Sequence, residues 1–461
     1  MEKSNPIGTE KVSSLILKFS VPAIIGMLVS ALYNIVDRIY IGNAPGLGKD
    51  GLAGITIAFP LMIIMIGVGI LFGVGGATLF SIKLGQKRKE EAELVMGNAF
   101  SLLIISGIVV SLIGALFLTP LLKLFGASET VMPYAKAYMG TIFFGSVFQI
   151  VSLGMNNFLR ADGFPKMAMA TMFAGAGVNI ILDPVFIYGF DMGMQGAALA
   201  TIISQFTSMV WVMFFFFGKR DNHKIYAKNL KIRFWVMVNI ISLGIPGFLL
   251  QISSSILNAV LNKTLQQYGG DIAVSGMGII NSVQTLLLMP IVGLNQGVQP
   301  IVSYNYGAKN FARIKEAMKI AITTASIIVV VGFILTRLFP EQIVRLFNQE
   351  EELIKVAAHG VVAWFWMLPV IGFQIVASNF FQAIGRPKSA MLLTLSRQML
   401  ILLPAILVLS RLFGSEGILY AAPIADFLSV ILTGTWFYFG MKTLESRALE
   451  ASNYNTFSIE A

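Results

Sequence analysis

The sequence predicts an all-α polytopic membrane protein: twelve transmembrane helices form two six-helix bundles, related by a pseudo-two-fold axis along the membrane normal. Three observations predict this fold class: an apolar composition, a series of stretches of membrane-spanning length, and an internal repeat. Hydrophobic residues make up 56% of the chain and charged residues only 12%. A soluble domain carries about a quarter charged residues, so the composition indicates a protein embedded in lipid.

Twelve apolar stretches recur along the chain, and each is long enough to cross about 30 Å of hydrocarbon as a helix. The alternation typical of strands is absent, which favours helices over a barrel. The predicted spans are residues 15–42, 51–82, 93–119, 131–159, 165–188, 193–217, 235–262, 275–304, 316–336, 356–384, 389–410 and 416–440.

The repeat relates the two halves of the chain. The segment Asn157–Lys166 returns as Asn379–Lys388, 222 positions later, and Gly75 and Gly297 share that offset. Near the start of each copy the offset is 224, which pairs Pro22 with Pro246. The longest polar interruption, 218–234, falls between the sixth and seventh spans. We therefore predict an N-terminal lobe at 1–217, a cytoplasmic linker at 218–234, a C-terminal lobe at 235–441 and a cytoplasmic tail at 442–461. Six spans per copy give both copies one orientation.

The net charge of +10 is explained by topology. Lys and Arg gather in the loops on the side that holds both termini, as the positive-inside rule requires. We therefore predict cytoplasmic termini and no nucleic-acid partner. The chain has no cysteine, which excludes disulfides and thiol chemistry. No nucleotide-binding loop or His-rich metal motif is present, so an ion gradient or an unseen partner must drive any work.

Asp183 is the most informative ionisable residue, because a charge inside a bilayer is costly and usually functional. Asn179 lies four residues earlier on the same helical face. Pro184 has no N–H and leaves the carbonyl of Ile180 without its helical partner. One turn thus offers a carboxylate, an amide oxygen and a backbone carbonyl, which suit Na⁺ or a proton. The alternative is a structural kink with a buried acid.

Asp37 lies on a polar stripe of the first span, together with Ser30 and Asn34. The first and fifth spans run in one direction, and Asp37 and Asp183 each lie about five residues before the predicted outer end. Thr201 in the sixth span falls at a similar depth. We expect these oxygen atoms to converge. The alternative partner for Asp37 is Arg38, although adjacent helical residues point about 100° apart.

Two further charged residues lie in the second copy. Arg397 is either a substrate contact or one half of a structural pair, and the sequence leaves both interpretations open. Asp426 is either a second protonation site or a structural acid. With Asn34, these form a set of candidate polar residues in a substrate cavity.

At these residues the chain resembles the multidrug and toxic compound extrusion (MATE) family, and most closely its bacterial branch of DinF-like and MepA-like exporters. The matching phrases are Tyr33–Asp37, Asn157–Gly163, Asn179–Pro184 and Gly196–Thr201. The resemblance implies a twelve-helix antiporter that exports organic cations and drugs in exchange for H⁺ or Na⁺.

The resemblance also implies roles for particular residues. Asp37, Asn179, Asp183 and Thr201 match the family's cation site, and Pro22 matches a proline proposed to let the first helix bend; Pro184 is the second candidate bending point. Some relatives carry an acid in the seventh helix, which here reads Gln251–Ser255. A cation site in the second lobe is therefore not expected.

We therefore expect a secondary-active multidrug efflux antiporter in a bacterial cytoplasmic membrane, working by alternating access. No cofactor is expected beyond the coupling ion, and the expected state is a monomer surrounded by lipid with cationic amphiphilic substrates. The nearest rival is a flippase for a lipid-linked precursor, which would have a more cationic cavity. An ion channel is a rival of a different class, and an intramembrane enzyme is a poorer one because no nucleophile–base pair is present.

Overall fold

The structure, a computed structural model, describes residues 6–44, 46–218 and 223–457, with side chains for all of these except 49, 445 and 447–457. Every regular element in these ranges is helical, and none of them is a strand. The all-α prediction is therefore confirmed. Residues 219–222, part of the predicted linker, and 458–461, the end of the predicted tail, lie outside the described residues.

Six spans each lie within one helical element, although Lys89–Leu124 has a kink at Phe117. They are Val12–Asn43, Gly48–Gly85, Lys89–Leu124, Pro165–Pro184, Gly193–Phe217 and Phe311–Leu338. The fourth span consists of Met132–Phe144 and Ser146–Ala161, bent by 57°, and the tenth of Glu351–Trp364 and Leu368–Ala383, bent by 54°. Short helices lie at Pro6–Thr9, Ala227–Asn229 and Pro340–Arg345.

Two helices are long enough to hold two spans each. Phe234–Gly307 is broken at Gly270, where φ is +65°, and Leu403–Phe457 is broken at Gly414, where φ is +61°. A residue in this left-handed region interrupts a right-handed helix, and glycine adopts it without strain. These breaks separate the seventh span from the eighth and the eleventh from the twelfth. The described residues thus contain the twelve predicted spans.

The fifth and eleventh spans each include a π-helical turn that the apolar pattern did not predict. Val185–Gly189 follows Pro184 directly, where the proline cannot donate a helical hydrogen bond. Ser396–Leu402 joins Pro387–Leu395 to the last helix. Pro22 lies within the continuous helix Val12–Asn43.

The chain forms two compact units, and both boundaries fall inside spans. One unit runs from Ile25 to Ile252; the other contains the described residues up to Ile24 and those from Ser253 onward. The first and seventh spans therefore each contribute to both units. The predicted lobes 1–217 and 235–441 are divided at the linker in the sequence, whereas these units are defined by contacts between residues. The division into lobes stays a prediction.

Among the close glycine contacts of the two units, one pair lies at positions related by the repeat. A Cβ atom at Gly75 would lie 2.8 Å from the backbone nitrogen of Gly244, and one at Gly297 would lie 2.6 Å from that of Ser20. Gly75 and Gly297 correspond in the repeat, and so do Ser20 and Gly244. Each unit thus uses a glycine to bring two helix backbones together, which is the usual role of small residues between membrane helices.

The linker is fixed to the third span by hydrogen bonds. Asn98 donates from Nδ2 to the carbonyl oxygen of Asn229 at 2.9 Å and accepts from the backbone N–H of Arg233 at 2.7 Å. His223, to which the sequence assigned no role, is hydrogen-bonded through Nδ1 to Asp162. Burial raises the pKa of Asp162, while the hydrogen bond from His223 acts in the opposite direction.

The contact around Gly244 predicts a strong effect of a single methyl group. A Cβ at position 244 would overlap the carbonyl oxygen of Leu71, and a backbone atom cannot move aside as a side chain can. We expect Gly244→Ala to lower stability by about 1–3 kcal/mol or more, seen as a lower melting temperature in detergent. Gly278→Ala is the matched control, because nothing lies within 4 Å of a Cβ there. Equal melting temperatures for the two variants would contradict this packing.

Candidate functional site

The candidate site lies inside the unit 25–252, where the first and fifth spans meet. The carboxyl groups of Asp37 and Asp183 lie within hydrogen-bonding reach of each other. Asn179 donates from Nδ2 to Oδ1 of Asp183 at 3.2 Å, as their spacing of one helical turn predicts. Asp37, Asn179 and Asp183 therefore lie together in the structure.

The site contains three buried oxygen atoms that accept no hydrogen bond from the described residues. They are Oδ1 of Asp37, Oδ1 of Asn179 and Oδ2 of Asp183. Asp37 is 7% exposed and Asp183 is 0% exposed. Buried polar atoms nearly always have partners, and one that lacks a partner costs free energy. The arrangement thus offers acceptors to a ligand that donates or is positively charged.

Thr201 is linked to the site by Tyr138, a residue that the sequence analysis did not identify. The Thr201 hydroxyl donates to the carbonyl oxygen of Ala197 at 3.0 Å, and it lies beside the hydroxyl group of Tyr138. Tyr138, in the fourth span, is buried and is close enough to interact electrostatically with both acids. Tyr33 is also near both acids. The position of Tyr33 one helical turn before Asp37 was the sequence signal that could have placed it in the site. Nothing in the sequence placed Tyr138 at this depth.

Two carboxyl groups in contact restrict what the site can hold. If both were ionised, their charges would repel at short range with little water to screen them. A proton shared between them, or a cation beside them, removes that repulsion. Carboxylate and amide oxygens are also the ligands that hard cations prefer. These oxygen donors fit H⁺ or Na⁺. No group of three His, Cys, Asp or Glu side chains suited to a metal occurs among the described residues.

The alternative partner of Asp37 is not used. Arg38 is exposed, and its guanidinium carbon lies 5.7 Å from the centre of the Phe59 ring. No ion pair between Arg38 and Asp37 occurs in the part of the chain that the structure describes. Asn34, the third polar residue of this stripe, is exposed and donates to the carbonyl oxygen of Ser30 at 2.7 Å.

Arg397 and Asp426 form an ion pair in the other unit. Nε of Arg397 lies 2.6 Å from Oδ1 of Asp426, and the side chain of Asp426 is 1% exposed. Next to Arg397 in sequence, Gln398 donates to the hydroxyl of Ser254 at 3.2 Å. Of the two interpretations of Arg397, this geometry favours the structural pair.

The ion pair predicts a non-additive pair of substitutions. Arg397→Met leaves Asp426 buried without a partner, and breaking a buried pair in this way costs about 3–5 kcal/mol. The double variant Arg397→Met/Asp426→Leu should recover most of that stability, because an apolar pair of similar volume often replaces a buried ion pair. Melting temperatures in detergent measure both effects. A stable double variant that no longer exports drugs would instead indicate that the pair contacts substrate.

Comparison with known proteins identifies the family. The MatE family model matches residues 22–185 and 246–408, one match in each half of the chain. The multidrug export protein MepA of Staphylococcus aureus strain MSSA476 is 30% identical over 417 residues, covering 90% of this chain and 91% of MepA.

Solved structures agree with this assignment. The MATE multidrug transporter DinF-BH, determined as a complex with a small molecule, has a TM-score of 0.88 and 38% sequence identity, covering 94% of this chain and 96% of its own. A transporter of the MOP superfamily from Pyrococcus furiosus, whose binding pocket of reverse polarity suggests a different function, has a TM-score of 0.90 and 25% identity, covering 96% of this chain and 99% of its own. Two matches to the family model, in a chain that is similar over nearly its whole length to MepA and DinF-BH, show that this protein belongs to the MATE family.

Proposed function

We propose that this protein is a secondary-active multidrug exporter that exchanges organic cations and other drugs for H⁺ or Na⁺. The observation that carries the proposal is the contact between Asp37 and Asp183, with three acceptor oxygens around it that lack donors. The names of MepA and DinF-BH as multidrug proteins support the substrate class. The coupling ion binds at Asp37, Asn179, Asp183 and Thr201.

Coupling follows from the charge of the acid pair. In the outward-facing state a proton or Na⁺ from outside binds and neutralises the pair, which favours a rearranged first span and release of the drug. In the inward-facing state the ion leaves to the cytoplasm and the next drug binds. This cycle requires that the ion bind the two states with different affinity, since only a differential affinity shifts a conformational equilibrium.

The same charge influences which substrates are accepted. A site that carries negative charge when the ion has left attracts organic cations. Drug and ion then compete for one electrostatic environment, even without direct contact between them. We therefore propose cationic amphiphiles as the main substrates, in a protein that works as a monomer with both termini in the cytoplasm.

The rival functions gain no specific support from the structure. A flippase for a lipid-linked precursor would need unpaired cations in its transport cavity, but Arg397, the cation that the sequence offered for that cavity, is paired with Asp426. The Pyrococcus furiosus transporter shows that this fold is compatible with a pocket of reverse polarity. The polarity of the site therefore says more about the function than the fold does. Here the site in the unit 25–252 is acidic.

Substitution of each acid tests the proposal in cells. Asp37→Asn and Asp183→Asn keep the size of the side chain but remove the charge that binds the ion. A hydrogen bond to a charged group is worth about 1.5–3 kcal/mol, so we expect drug export to fall by about tenfold or more. Accumulation of a fluorescent cationic drug in expressing cells measures this.

The control for this experiment is Asp191→Asn. Asp191 is an exposed acid of the same unit with φ of +52°, a conformation that asparagine tolerates. The Asp191→Asn variant should export drugs at the wild-type rate. Unchanged export by either site variant, at equal expression, would contradict the assignment of the coupling site.

A further inference from the structure

A cavity of about 370 Å³ lies in the second unit, at the ends of three spans. Its wall comes from the end of the tenth span, the loop that follows it, the start of the eleventh span and the last turns of the twelfth. The lining residues are Phe381, Arg386, Ser389, Thr435, Trp436, Phe439, Gly440 and Thr443. None of them belongs to the ion site or to the ion pair of Arg397 and Asp426.

Arg386 is the one charged side chain in this wall. It is half-buried, and it makes no ion pair or side-chain hydrogen bond with the described residues. Arg397, by contrast, is paired with Asp426, and Arg313 donates to Asn305 and to the carbonyl oxygens of Ile7 and Glu10. A half-buried guanidinium with its donors free is suited to an anion with several oxygen atoms. Ser389 adds a hydroxyl group to the same wall.

Three aromatic side chains form much of the rest of the wall, and two of them are exposed on the protein surface. Trp436 and Phe439 are 39% and 59% exposed, whereas Phe381 forms a buried floor. A Cβ at Gly440 would lie 2.9 Å from the Phe381 ring, so glycine is what allows the ring to form that floor. Aromatic residues concentrate at the border between hydrocarbon and headgroups. The cavity therefore has one anion-binding end and one apolar, lipid-facing side.

The predicted topology places this cavity on the cytoplasmic side of the membrane. The loop around Arg386 joins an even-numbered span to an odd-numbered one, as the other basic loops do. Lys388 and Lys442 are exposed at the same end. Basic side chains at this level are attracted to the anionic lipids of the cytoplasmic leaflet.

The repeat provides an internal comparison. The residue of the first copy that corresponds to Arg386 is Phe164, whose ring packs against Phe215 with centroids 4.7 Å apart. The first copy thus has an aromatic contact where the second has an unpaired cation. The arginine in this wall is therefore a feature of the second copy and not of the shared scaffold.

We propose that this cavity binds an anionic phospholipid, with the phosphate on Arg386 and Ser389 and the acyl chains along Trp436 and Phe439. The lipid complements the unpaired charge and the apolar wall at once, which a free phosphate ion does not. The site is separate from ion coupling and does not depend on the proposed transport function.

Native mass spectrometry of the purified protein tests this proposal. The probe is an equal mixture of phosphatidylglycerol and phosphatidylcholine with the same acyl chains. One basic side chain near a membrane surface contributes about 1 kcal/mol, so the wild type should prefer its first bound phosphatidylglycerol by about fivefold. Arg386→Gln should bind both lipids equally, and Lys388→Gln, which removes the same charge outside the cavity, should keep the preference.

Three further measurements cover the remaining outcomes. Arg386→Lys should keep a reduced preference for phosphatidylglycerol, which separates loss of charge from loss of folding. Ser389→Ala, with Arg386 intact, should weaken the preference. Inorganic phosphate at millimolar concentration should not displace the lipid. The proposal is overturned if the wild type shows no preference, if Arg386→Gln retains it, or if phosphate alone displaces the lipid.

Discussion

The contact between two carboxyl groups inside an apolar bundle is the interaction on which the rest of this structure depends. Asp37 and Asp183 are buried, lie within hydrogen-bonding reach and leave three acceptor oxygens without a donor around them. Such a pair is stable only with a proton or a cation present. Under the proposed exchange, binding and release of that ion would give the bundle two states of different charge.

The duplication explains why one copy carries this chemistry and the other does not. Both copies keep the framework, including the glycine contacts of Gly75 with Gly244 and of Gly297 with Ser20. The position in the second copy that corresponds to Asp37 is Leu261, which is buried among apolar residues. The acid of the second copy, Asp426, is neutralised by Arg397. The two copies thus share their packing and differ in the charge that they expose to an ion.

Most of the fold could be predicted from the sequence, because membrane spans are encoded by long apolar runs that need little tertiary context. The predicted span 193–217 matches the helix Gly193–Phe217, and the other predicted bounds differ from the helices by a few residues, except that the last helix continues to Phe457. The bends at Gly145 and near Phe365 and the π-helical turns could not be predicted, since apolar periodicity carries no signal for them. Asn179 and Asp183 were predictable from their spacing on one helix. Tyr138 was not, because its place beside Thr201 depends on how separate helices pack.

The most direct test of ion coupling at the acid pair is drug uptake into proteoliposomes under separately imposed proton and Na⁺ gradients, with no other energy source. We expect one of the two gradients to drive exchange by the wild type and to fail with Asp183→Asn, because the variant retains the fold but not the ion-binding charge. Transport that ignores both gradients in the wild type, or that responds equally in Asp183→Asn, would contradict coupling at this site.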